Sequence, residues 1–164
     1  MPAIRSVVSF PNPVNEYAAR TVAAGVVVLC VLALAFQQPW LLIPLAYGFW
    51  ARVLTGPTLS PLGQLATRVI APRLGEPRLV AGPPKRFAQG IGVVFSSTAL
   101  ILWFGFGLSA AWIVVGLLGV AASFESILGL CLGCKAFALL MKLGVIPYDI
   151  CEACEDISLR VRIP

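Results

Sequence analysis

Four stretches of this chain run for 15 to 22 residues with almost no charge, and few folds accommodate that pattern. A helix rising about 1.5 Å per residue needs roughly 20 apolar residues to cross a bilayer core about 30 Å thick. Residues 18–36, 87–107 and 109–130 meet that length, and residues 40–54 fall somewhat short of it. Only Arg20, Arg52 and Glu125 interrupt these stretches with charge, and Pro44 sits inside the second. Composition agrees: 59% of residues are apolar and 12% charged, against about a quarter charged in soluble domains. The expected fold is an all-α polytopic membrane protein in one domain. It has four transmembrane helices, an amphipathic helix in the central loop and a short helical tail. The second stretch has two readings at this level, a tilted span or a re-entrant segment.

Basic residues orient the spans. The connectors after the first and third are short and uncharged, whereas residues 55–86 carry Arg68, Arg73, Arg78, Lys85 and Arg86 against the single acid Glu76. Positive charge accumulates on the cytoplasmic side. The loop and both termini are therefore expected in the cytoplasm, the termini marked by Arg5, Lys135, Lys142, Arg160 and Arg162. Trp40, Trp103 and Trp112 then fall at the opposite interface, as an aromatic belt requires. The net charge of +5 is thus a topology signal rather than a footprint for nucleic acid. The expected location is a bacterial inner membrane, with the lipid bilayer as first partner.

Local signals refine the ends. Asn12-Pro13 reads as an N-cap and first helical residue ahead of the first span, with Glu16 and Arg20 spaced to pair. Ser60-Pro61 reads as a second such start. Leu62, Leu65, Ala66 and Val69 follow at helical spacing, predicting an amphipathic helix on the inner membrane surface or a face for a partner.

The chain has no histidine. That excludes Ser-His-Asp and Cys-His nucleophilic pairs, His-ligated haem and mixed Cys/His zinc sites. Chemistry is left mainly to the cysteines. Four of the five form two C-x-x-C pairs, Cys131/Cys134 and Cys151/Cys154, with 16 residues between them. Both pairs lie beyond the last span, in the cytoplasmic tail 131–164. This spacing fits a four-thiolate zinc or iron site, and equally two dithiols that cycle through disulfides or carry persulfides. Lys135 beside Cys134 would activate the first pair if a new helix began there, and a fourth span continuing through Cys134 would do the reverse. Asp149, Glu152, Glu155 and Asp156 crowd the second pair and favour a bound cation or a basic partner. Cys30, alone in the first span, reads as a small buried side chain. Glu125 is a carboxylate within an apolar run. Such a group is either a functional proton carrier or one half of a salt bridge, with Arg52 or Arg20 as partner.

The chain resembles the bacterial membrane family catalogued as domain of unknown function 4395. The resemblance rests on Phe10 to Glu16 with Arg20, on Pro84 to Gln89 with Gly90 and Gly92, and on Phe124-Glu125 leading to Gly129-Leu130-Cys131-Leu132-Gly133-Cys134. It implies a small integral membrane protein of unassigned activity, with relatives encoded near thioredoxin-like and sulfurtransferase proteins. The leading expectation is therefore a cytosol-facing dithiol, Cys131 and Cys134, helped by Glu125 and exchanging electrons or sulfur with a soluble thioredoxin-like or rhodanese-like partner. The alternatives are a scaffold stapled by zinc or iron on Cys131, Cys134, Cys151 and Cys154, and a component of a small sulfur-anion transporter. The last would need a homo-oligomer, because four spans in one copy make a poor pathway.

Overall fold

A computed structural model describes residues 10–147. In chain order its elements are β1 (Val14–Asn15), α1 (Glu16–Phe36), α2 (Leu42–Thr55), α3 (Pro61–Leu65), β2 (Leu79–Val80), α4 (Gly82–Leu100), α5 (Ala110–Leu128) and α6 (Leu132–Lys142). Among the described residues the architecture is helical except for β1 and β2, which pair antiparallel with Val14 opposite Val80. This small ladder ties the N-terminal segment to the central loop.

Three helical segments are long and apolar enough to cross a membrane: Glu16–Phe36, Gly82–Gly105 and Ala110–Leu128. The second stretch is not among them. Pro39–Leu41 forms a 3₁₀ turn and α2 adds only 14 residues, because Gln37 ends α1 in the left-handed region and Gly56 ends α2. The third span starts earlier than its apolar run suggests, since Pro83 and Pro84 suit a first helical turn. Lys85 and Arg86 thereby lie inside α4. That helix continues as a π turn, Ile101–Gly105, that the sequence pattern does not reveal.

The expected start of α1 is corrected. Asn15, not Asn12, caps it, its side chain accepting from the Tyr17 N–H at 3.0 Å. Asn12 instead accepts from the Gly82 N–H at 3.1 Å, tying the N-terminal segment to the head of α4. Ser60 does cap α3, accepting from the Gly63 N–H. The loop helix continues past α3 as a π turn at Ala66–Ile70, so the helical run takes in Leu62, Leu65, Ala66 and Val69. It does not merely rest on a surface. Leu62 sits so close to Gly25 of α1 that a Cβ there would meet its Cδ1 at 2.5 Å, and Ala66 is buried while Leu65 and Val69 stay exposed.

The bundle core runs through all four longer helices, with Val26, Cys30, Leu45, Phe49, Val93 and Val115 among its buried residues. In lipid no hydrophobic force drives helices together, so close packing of small residues must do it. Gly119 meets Cys30 across α1 and α5, and Gly92 leaves the space that the Phe49 ring fills. Outward, Val28, Ile43, Val94, Ile113 and Val120 remain exposed. Apolar faces this extensive, turned away from a packed core, mark a protein embedded in membrane. Trp40, Trp103 and Trp112 gather at one end, Trp103 and Trp112 with ring centroids 5.0 Å apart.

Candidate functional site

At the other end of the bundle α5 stops at Leu128. Gly129, at φ 67°, takes the left-handed conformation that a helix C-terminus needs and that a Cβ disfavours. Arg20 reinforces the stop from α1: its Nε and Nη2 donate to the Ser126 carbonyl, and Nη2 to that of Ile127 at 2.9 Å. A cation on the last carbonyls of a helix complements its dipole. Arg20 therefore does not pair with Glu16, which instead meets Arg78 at 3.0 Å.

Leu130 follows outside any helix, Cys131 is extended, and α6 begins. Cys131 is its N-cap, with Sγ accepting from the Cys134 N–H at 3.2 Å. Cys131 and Cys134 are joined as a disulfide, with Cα atoms 5.2 Å apart. The last span does not run through the pair, so a helix start rather than a helix end faces these sulfurs. Helix starts favour negative charge. Gly133 seats this turn on α4: a Cβ there would lie 2.5 Å from the Ala88 Cβ. From that point α6 runs back along α4, burying Phe137 and Met141 beside Phe87 and Ala81. The start of the tail is thus part of the bundle. Lys142 lies in the last turn of α6, and Gly144 follows at φ 73°.

Glu125 is paired with neither expected arginine. Its partner is Lys85 on α4, with Nζ 2.5 Å from Oε1 and both side chains nearly enclosed. Arg52 lies nearby, 5% exposed, its guanidinium over the Phe49 ring and its Nε donating to Gln89 Oε1 at 2.8 Å. Its Nη1 donates to Ser60 Oγ at 3.3 Å, and Nη2 has no partner among the described residues. Sequence reasoning names Lys85, Arg20 and Gln89 but misses their roles: Lys85 as the partner of Glu125, Arg20 as the cap of α5 and Gln89 as the acceptor for Arg52. The available signal was stoichiometric: an acid alone in an apolar run needs a cation at the same depth, and Lys85 opens the facing span.

Of these groups Glu125, Gln89 and Phe49 border a cavity of about 470 Å³ between α4 and α5. Val22 and Val26 of α1 and Phe49 of α2 form its floor, and the first turn of α6 closes one end. Its lining includes Cys131, Glu125 and Gln89, so the structure brings two of the three expected site residues to one wall system. Cys134 does not line it. Among the described residues no group of three or more Cys, Asp or Glu is placed to hold a metal. The four-thiol site expected for zinc or iron needs Cys151 and Cys154, which lie outside the described residues, as do Arg5, Asp149, Glu152, Glu155, Asp156, Arg160 and Arg162.

No curated protein and no solved structure matches this chain. A family model does, over residues 14–142, which takes in the ladder, all six helices and the first cysteine pair. The chain belongs to the family described as domain of unknown function DUF4395.

Proposed function

We propose that this is a membrane thiol–disulfide protein in which Cys131 and Cys134 exchange electrons or sulfur with a soluble thioredoxin-like or sulfurtransferase-like partner. The observation that carries the reading is the break at Gly129 that makes Cys131 the N-cap of α6, with Cys134 one turn on and bonded to it. A dithiol at a helix start is favoured as thiolate, the species that attacks a disulfide. Half-buried Cys134 supplies the outward face of the pair and buried Cys131 the inward one. Glu125 lines the same cavity as Cys131, and in this reading its ion pair with Lys85 does not bar it from relaying the protons that thiol chemistry releases.

The reading includes four crossings, with both ends of the described bundle and the central loop on the cytoplasmic side of an inner membrane. The support is the pairing of α2 with α4. Trp40 stacks near Phe104 at one end, and Arg86 Nε donates to the Val53 carbonyl at the other. At about 1.5 Å per α and 2.0 Å per 3₁₀ residue, Pro39–Thr55 rises roughly 27 Å, close to a bilayer core.

The test is mixed-disulfide trapping with a thioredoxin whose second active-site cysteine is serine, offered to the chain in membranes. The expected result is a covalent adduct that persists in Cys30→Ala and in Cys151→Ser/Cys154→Ser, and disappears in Cys131→Ser/Cys134→Ser. An adduct that survives loss of both Cys131 and Cys134 overturns the reading.

A further inference from the structure

We propose that the cavity behind Cys131 takes the ring of a lipid-soluble quinone and that the dithiol passes its electrons to it. This rests on the dithiol reading above and adds the oxidant that such a pair requires. A disulfide forms by loss of two electrons, so its acceptor must take both. The cavity restricts that acceptor further. It opens among apolar side chains within the span of α4 and α5, where a water-soluble carrier pays a large desolvation cost to enter. Its volume of about 470 Å³ lies within the roughly 300–1,000 Å³ usual for small-molecule sites.

The lining is graded. Phe95 and Leu117 lie toward the middle of the helices, whereas Gln89, Glu125 and Cys131 lie near the end where α6 begins. A molecule with a polar ring and an apolar tail matches that gradient. Phe49, seated against Gly92, offers an aromatic wall, and the small side chain of Ala121 leaves width for a flat ring. Arg52 occupies Gln89 Oε1, which leaves the amide nitrogen to donate to a ring carbonyl.

The step balances. The Cys131 thiolate adds to a ring carbon, forming a C–S bond. The Cys134 thiolate attacks Cys131 Sγ, the S–S bond forms as the C–S bond breaks, and the electron pair stays on the ring. The two protons released by the thiols end on the two ring oxygens, giving a quinol, with Glu125 as their carrier. A soluble dithiol then reduces the pair again through Cys134.

The experiment uses the full chain in quinone-free lipid nanodiscs, reduced and freed of reductant under anaerobic conditions. Ubiquinone-1 is added, quinol formation is followed by absorbance, and the cysteine peptides are mapped by mass spectrometry. The expected result is about one quinol per chain, as a two-electron couple requires, with a Cys131–Cys134 disulfide. Ala121→Phe, which fills the cavity, slows the step by about tenfold and leaves thioredoxin trapping intact. In the unaltered chain an azidoquinone labels the facing surfaces of α4 and α5. Oxidation no faster than in Cys131→Ser/Cys134→Ser, or azidoquinone label confined to other surfaces, overturns the proposal and assigns the cavity to an acyl chain only. If thioredoxin trapping persists in that case, the dithiol reading stands without the quinone; if trapping fails as well, both fall.

Discussion

Lys85 and Glu125 meet at 2.5 Å with side chains 10% and 14% exposed, so protein encloses most of the pair. A pair taken out of water gains little over a well-packed apolar pair, but removing one partner strands the other charge at a cost of about 3–5 kcal/mol. Lys85→Met is therefore expected to destabilise the bundle by about that amount, while Lys85→Met with Glu125→Leu regains most of it. Unfolding in mixed micelles followed by tryptophan fluorescence checks this. A single variant as stable as the double would mean that water reaches the pair. Glu125 was conspicuous in the sequence because it was alone in an apolar run. Its partner was not, since Lys85 lies 40 positions away and no periodicity connects them. Arg20 was misjudged for a related reason: its spacing from Glu16 fits a helical pair, yet the bare carbonyls at the end of α5 compete for the same guanidinium.

At the scale of elements, the seat of α6 on α4 governs where the sulfurs sit. Gly133 permits the approach, since a Cβ there would be 2.5 Å from Ala88 Cβ and 2.6 Å from its Cα. The second of these is backbone and has little freedom to move aside. Gly133→Val is expected to lift the first turn of α6 at a cost of about 1–3 kcal/mol, the range for overpacking. Gly90, also on α4, has nothing within 4 Å of a built Cβ. Gly90→Ala is expected to be neutral or to gain up to about 1 kcal/mol of helix propensity. Hydrogen exchange of Leu132–Lys142 separates the two, rising in Gly133→Val and unchanged in Gly90→Ala. Equal protection in both would show that α6 is held by Phe137 and Met141 alone. The two glycines of this region, Gly129 and Gly133, are residues at which a helix can break. Composition leaves undecided whether the break occurs, because that depends on Arg20 reaching across from α1.

For the whole molecule, the count of apolar runs is legible, but whether each run crosses is a matter of depth. The second run is short by composition and shorter still as a helix, because Pro39 imposes a 3₁₀ turn before α2. Its pairing along α4 nevertheless carries it from the level of Phe104 to that of Arg86. A re-entrant segment would return to the side from which it entered, placing Gln38 and Thr58 on the same face. A crossing separates them. In a background without native cysteines, single cysteines at Gln38 and Gly107 are expected to react with an impermeant maleimide from outside intact cells. Those at Thr58, Arg73 and Lys142 are expected to react only after the membrane is opened. Labelling of Gln38 and Thr58 from one side would make α2 re-entrant. Labelling of Lys142 from outside would invert the bundle and put the Cys131–Cys134 pair against an oxidising compartment, where a structural disulfide explains it as well as a catalytic one. The chemistry proposed for the pair therefore depends on which face of the membrane α6 occupies.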